Sequence, residues 1–306
     1  MSKGLTISMI FQANGLNYGE GIGNIAELKK LSRGNGQMYT YASRQSLRYD
    51  MVRLGHEWFN WNLQTVSKEK GTVQFREDAT IEISEEMDLF GYMKTVKGVG
   101  AVTREAVARI TPAISLESYK SDLEFLSNMG LAQRIGENNN LANVEQHYSF
   151  YTYTVTIDLD RIGVDRELEI PVEEKCKRVT QLLEILNLLN RQIRGRMENL
   201  SPLFVIGGVY NICNPFFLGR VQLDIRSTGY GVNTKLLQDG LEKKVFGKEV
   251  QASTHVGLAK GVFRNEDEIS ELLPTEQVHS VQEMFEYLTQ EVQNVYAVDT
   301  HESIEN

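Results

Sequence analysis

The chain lacks most of the short patterns that announce chemistry. Its 306 residues hold only two cysteines, Cys176 and Cys213, without CxxC spacing. That argues against a disulfide framework or a thiolate metal cluster and for reduced thiols in a reducing cytoplasm. His56, His147, His255, His279 and His301 are scattered, and no HxH or HExxH pair offers metal ligands. No GxSxG elbow frames a serine, and neither cysteine stands in a nucleophile's setting. The stretch "GEGIG" at 19–23 lacks both the full GxGxxG spacing and the P-loop lysine. It could present backbone N–H groups to a phosphate, lie on a nucleic-acid backbone, or be a plain flexible loop. No apolar run nears the roughly 18 residues of a membrane span. Met1-Ser2-Lys3-Gly4 leads straight into an alternating pattern with no signal-peptide core. Internal repeats, low-complexity tracts and helix-turn-helix spacing are missing too. The expectation is a protein without metal, cofactor or membrane partner.

Cations are lacking in one place. From Asn265 to Asn306 there are eleven acidic residues and no Lys or Arg, in a chain of formal net charge -9. The rest is close to neutral, and residues 29–53 set Lys29, Lys30, Arg33, Arg44, Arg48 and Arg53 against Asp50 alone. Such asymmetry fits a polyanion held on one face, or a solvated helix face beside an acidic tail.

Hydrophobic content of 41% and charged content of 24% are those of an ordinary globular chain. Leu5, Ile7, Met9 and Phe11 alternate with mostly polar neighbours and predict a strand. After a Gly- and Asn-rich loop, Leu47, Met51, Leu54 and Trp58 recur at helical spacing, with Ser43 as N-cap and Gly55 near the stop. "TVQFREDATIEIS" (72–84) reads as a hairpin turning at Glu77-Asp78-Ala79. Residues 87–115 have no clean period, and Gly91, Gly98 and Gly100 suggest a loop or ribbon. Residues 116–129 read as helical and 137–140 as a turn.

"YSFYTYTVTIDL" (148–159) is the strongest strand, with Tyr151, Tyr153, Val155, Ile157 and Leu159 on one face. Pro171 opens a helix reaching about Arg194, with a stripe from Val172 through Leu186 to Ile193. Strands return at 203–210 and at 219–227, the latter with Val221, Leu223 and Ile225 inward.

Without its insertions this order is a split βαβ, so the expected fold is α+β. It is an RRM or ferredoxin-like palm, an antiparallel sheet with helices on one face. The expected organisation is a first palm half at 1–86 and an inserted thumb or helical region at 87–147. A second palm half follows at 148–264 and an acidic segment at 265–306.

One short helix concentrates candidate binding groups. Arg44 and Arg48 lie one turn apart beside the Leu47/Met51/Leu54 stripe, and Arg53 follows. Ser43 and Gln45 add neutral donors beside the free N–H groups of the helix start. The set suits a sugar–phosphate backbone and has little to read base identity. A capped surface helix with salt bridges is the alternative.

"ISMIFQANGLNYGEG", "YASRQSLRYDMVR" and "DLFGYM…ITPAIS" follow one another over the first 115 residues. Together they resemble the repeated backbone subunit of type I CRISPR surveillance (Cascade) complexes, in particular the DevR-like branch of type I-B systems within the RAMP superfamily. The second half agrees in pattern only.

The resemblance implies a hand-shaped, non-catalytic subunit that polymerises in copies along guide RNA (crRNA). Other Cascade subunits accompany it in a prokaryotic cytoplasm, and target DNA is met through guide base pairing. It also implies RNA-binding roles for Asn14 and Asn17 in the first loop, Ser43, Arg44, Gln45, Arg48 and Arg53 on the helix, and Lys94, Lys97 and Arg104 on a mobile arm. The strand 148–159 lacks an RNP1 motif, so Tyr151 and Tyr153 are expected in the core. A type III-like subunit that cuts target RNA through a loop aspartate, Asp88 or Asp50, is the alternative function. A histidine-based guide-processing nuclease and a DNA-binding regulator stand further off.

Overall fold

The computed structural model describes residues 3–69 and 71–302. Met1 and Ser2, read above for a signal segment, and the last residues of the acidic segment lie outside them.

The alternating N-terminal stretch is the strand Gly4–Asn14, which sits at the middle of the main sheet. It pairs antiparallel along its length with Tyr148–Asp158, from Gly4 opposite Asp158 to Asn14 opposite Tyr148. Its other edge pairs antiparallel with Phe204–Tyr210. On the far side of Tyr148–Asp158 come Ala113–Ser115 and then Met38–Ala42. The order Phe204–Tyr210, Gly4–Asn14, Tyr148–Asp158, Ala113–Ser115 is that of a ferredoxin-like sheet. The helices Arg44–Phe59 and Val172–Asn187 make its two crossovers. Beyond Phe204–Tyr210 the sheet gains His255–Leu258 and, parallel to it, Val278–Ser280.

Period-two patterning fills both faces. Leu5, Ile7, Met9 and Phe11, with Tyr151, Tyr153, Val155 and Ile157, are buried under the two crossover helices and a third, Val281–Glu302. The other face carries Ile10, Phe150, Phe204 and Ile206, covered by Phe217, Leu237 and Phe263 from the 212–273 region. Close strand approach needs glycine at one point: a Cβ on Gly207 would stand 2.0 Å from the Thr6 carbonyl oxygen.

Several local expectations are corrected. The basic helix continues through Gly55 to Phe59 and ends on Asn60 in the left-handed conformation. Gly55 is a packing glycine, because a Cβ there would meet the buried Trp61 ring at 2.2 Å. Trp61 therefore fills the place expected for Trp58, which is exposed. Thr72–Phe75 pairs backward with Val66–Glu69, so the hairpin turns before this stretch, and residues 76–84 form turns and irregular chain.

The aperiodic 87–115 stretch does contain a ribbon, the hairpin of Tyr92–Val96 with Gly100–Arg104; it follows the short helix Glu85–Phe90 and precedes Ala108–Ile110 and Ala113–Ser115 on the main sheet. The segment expected to be helical at 116–129 holds the strand Asp122–Ser127, paired with Leu141–Gln146. Both lie away from the main sheet, where a helical period had no core to face. The helix opened by Pro171 stops at Asn187, and the chain turns back in a hairpin of Asn190–Ile193 with Arg196–Asn199. Ile225 is exposed, whereas Val221 is buried as expected.

The acidic segment is no solvated tail. Its helix Val281–Glu302 drives Met284, Phe285, Leu288, Val292 and Tyr296 into the main core. Cys176 and Cys213 are free and half-buried, and burial pushes both thiols up from their ordinary value. Among the described residues no helix is long and apolar enough to cross a membrane.

Candidate nucleic-acid interface

The basic helix begins on Ser43, whose side chain accepts from the Ser46 N–H at 3.3 Å, as an N-cap should. Asn17 comes from the Gly-rich loop to the same point. With its carboxamide oxygen toward the helix it accepts from the Ser43 N–H and the Ser43 hydroxyl, each at 3.0 Å. No acidic residue occupies the first turn. Helix geometry leaves the N–H groups of Arg44 and Gln45 without intrahelical acceptors, and the positive end of the helix dipole lies there. Both side chains are exposed and, among the described residues, make no hydrogen bond or ion pair.

The loop that brings Asn17 also brings Tyr18, and the Arg194 guanidinium lies 4.2 Å from the Tyr18 ring centroid. Arg194 stands exposed at the tip of the 190–199 hairpin with a positive φ of 48°, next to Gly195. Arg191, at the hairpin's base, ties it to the helix. Its guanidinium donates to the Leu16 carbonyl at 2.8 Å, the Ser46 carbonyl at 3.2 Å and Asp50 at 2.6 Å. Arg196 donates to the Asn14 carbonyl at 2.8 Å, and Asn14 accepts the His147 N–H at 3.1 Å. Asn14 is thus a brace behind this surface. The helical pattern expected up to Arg194 gives way to this hairpin after Asn187. The signal for it was "RQIRGR", where glycine between arginines marks a turn carrying cations.

Four of the other candidate cations are engaged by partners within the protein. Arg48 pairs with Glu86 and lies over the Phe90 ring, joining the basic helix to the short helix Glu85–Phe90. Arg53 donates to Glu57 at 2.9 Å and to the Asn190 side-chain oxygen at 2.8 Å. Lys94 is buried and donates to the Glu77 carbonyl at 2.8 Å and to that of Ala79. Burial pulls its ammonium down from the ordinary lysine value, against the opposing pull of Asp165 and Asp78. Arg104 is buried too, donating to Asp88 at 2.7 Å and the Arg161 carbonyl at 3.0 Å. Expected on a mobile arm, Lys94 and Arg104 instead fasten their hairpin to the body. Lys97 alone of that set is exposed, at the hairpin tip.

The two candidate aspartates are also occupied. Asp88 is fully buried and accepts from Arg104, from Arg178 at 2.9 Å and from the Gly163 N–H at 2.9 Å. Asp50 is buried against Arg191, and burial raises its carboxyl above the usual carboxylate range while Arg191 pulls the other way. Among the described residues no group of three or more His, Cys, Asp or Glu is arranged to hold a metal ion. Tyr151 and Tyr153 are buried on the helix-facing side of the sheet, as expected of core residues.

The model of one protein family, described as CRISPR-associated negative auto-regulator DevR/Csa2, matches residues 5–225. A solved chain titled "CRISPR RNA-guided surveillance complex, pre-nicking" aligns over 96% of this chain and 99% of its own, with 11% identity and a TM-score of 0.60. A second, titled "CRISPR RNA-guided surveillance complex", aligns over 97% and 99%, with 13% identity and a TM-score of 0.55. At such identities the likeness is one of fold. No curated protein matches the chain.

Proposed function

The chain belongs to the CRISPR-associated DevR/Csa2 family, and from that premise we propose that it is a non-catalytic subunit of a type I-B Cascade surveillance complex. Copies of it line up along a guide RNA and hold the sugar–phosphate backbone, leaving the bases to pair with target DNA. Its other partners are the remaining subunits of that complex, in the cytoplasm of a prokaryote.

The observation that carries this reading is the start of the basic helix. There, Asn17 and Ser43 set a helix N-terminus, and Arg44, Gln45 and the neighbouring Arg194 are exposed and, among the described residues, free of acidic partners. Backbone N–H groups, a carboxamide and guanidiniums recognise phosphates without regard to sequence. The strands Asp122–Ser127 and Leu141–Gln146 form an arm with Leu123, Phe125 and Leu126 exposed, and this arm is the part that meets the adjacent copy.

No hydrolytic step is assigned to the subunit. The carboxyl oxygens of Asp88 and Asp50 face arginines and backbone donors inside the protein, which supports structural roles for both rather than metal binding or water activation.

The test uses the purified chain and several short RNAs of unrelated sequence. Similar affinities, a steep salt dependence and a length-dependent assembly are expected. Strong preference for one sequence would sink the backbone reading. Regular cuts in a complementary RNA with magnesium, lost in Asp88→Ala or Asp50→Ala, would promote the ribonuclease reading instead.

A further inference from the structure

On the opposite side of the sheet from the basic helix, a cavity of about 350 Å³ opens between the 111–116 segment and the 218–222 loop. Its walls are apolar on both sides: Pro112, Ile114 and Leu116 from the first segment, Leu218 and Val221 from the second. Its floor is the central strand at Thr152 and Thr154, the residues that alternate with the core tyrosines.

Several polar groups in this lining have bonding capacity left over. The Thr111 hydroxyl accepts the Thr154 N–H at 2.9 Å, which leaves its own proton to donate. The Thr152 hydroxyl, on a half-buried residue, makes no hydrogen bond among the described residues. Gln222 donates to the Gly219 carbonyl at 2.8 Å, and its side-chain oxygen remains open. Arg33 completes the lining. It is exposed, its guanidinium lies 5.1 Å from the Tyr39 ring centroid, and it has no acidic partner among the described residues.

We propose that this cavity is a nucleotide subsite: an apolar slot for one unpaired base, hydroxyls and a carboxamide oxygen at the base edge, and Arg33 on the phosphate. The assignment follows from the combination. An apolar slot with both donors and an acceptor suits a flat heterocycle whose edge carries both kinds of group. An unpaired guanidinium at the rim selects an anionic ligand over a neutral one. The volume is at the small end for ligand pockets and accommodates one nucleotide rather than a stacked run. The subsite lies on a different face from the Arg44/Arg194 surface and does not depend on that surface holding RNA.

The experiment titrates the full chain with the four nucleoside 5′-monophosphates, the parent nucleosides and a short unpaired oligonucleotide, following binding by calorimetry and ligand-observed NMR. Arg33→Ala removes an exposed side chain and leaves the cavity intact. Thr152→Phe fills it, with circular dichroism reporting on the fold. Monophosphates are expected to bind, to weaken about tenfold in Arg33→Ala and to be lost in Thr152→Phe, while nucleosides ignore the Arg33 change. Binding of the oligonucleotide alone, lost in Thr152→Phe, would support the subsite and assign its occupant to a strand. The proposal is overturned if neither probe binds, if Thr152→Phe keeps its fold and binds as before, or if Arg33→Ala weakens nucleosides and monophosphates equally. The effects of Arg33→Ala and Thr152→Phe on monophosphate binding should be the same in an Arg44→Ala background, which separates this site from the RNA backbone surface.

Discussion

The Asp88 cluster and the start of the basic helix are both rich in arginine, and they use it in opposite ways. Around Asp88, Arg104 and Arg178 are buried, and their donors meet a carboxyl group and backbone carbonyls such as that of Ile81 at 2.7 Å. Those contacts fix the 79–90 stretch to the helix Val172–Asn187 and the loop at Gly163. At the helix start and the neighbouring hairpin tip, Arg44 and Arg194 are exposed and, among the described residues, have no carboxylate partner. A buried cation must be matched by its own protein, because desolvation is costly. An exposed cation can be left for an outside partner. Counting arginines along the chain cannot separate these cases.

The sharpest way to break this comparison is Asp88→Ala, which strands two guanidiniums in the interior. Stability should fall by about 3–5 kcal/mol in denaturant unfolding. A loss under 1 kcal/mol, or one confined to RNA binding, would mean the cluster is no structural anchor. The opposite pattern is expected from Arg44→Ala combined with Arg194→Ala. Unfolding should stay within about 0.5 kcal/mol of the parent, while the slope of log affinity against log salt flattens by about 0.7 for each lost phosphate contact. An unchanged slope would remove both residues from the interface.

Ser43→Ala tests the border between the two behaviours. Loss of the cap and of its contact with Asn17 should cost about 1 kcal/mol of stability and loosen the donors at the helix start, so RNA affinity falls with it. If affinity held while stability dropped, the cap would serve the helix alone. Arg48→Ala carries the smallest expected effect. Its pair with Glu86 is partly exposed, so about 0–1 kcal/mol of stability is at stake, and the salt slope of RNA binding should change less than in Arg44→Ala. A larger slope change for Arg48 than for Arg44 would show that RNA displaces Glu86.

Much of the frame was legible in the sequence because it follows from local rules. Alternation in 5–12 and 148–159 marked the two central strands, Ser43 marked a cap, and the 3.6-residue stripe from Val179 to Leu186 marked a helix packed on the sheet. The misreadings cluster where the chain leaves the main sheet. The arm at 122–146 has no common core to impose a period, and the helical pattern that runs on to Arg194 overlaps the first strand of the 190–199 hairpin. The acidic segment misled through composition. Among its charges, Glu283 and Glu286 lie at exposed positions of a helix whose inner stripe, Met284, Leu288 and Val292, belongs to the core.

The sequence by itself determined which residues form the central strands and helices, since side-chain period and capping act over a few residues. Only the tertiary structure decided which of the candidate cations were free. The partner of Arg48 lies 38 residues away along the chain, Arg178 reaches Asp88 across 90 besides its helix neighbour Glu174, and Asp50 meets Arg191 across 141. Such pairings exist only once the sheet has brought distant segments together, so a cation's availability is a property of the fold rather than of its neighbours in sequence.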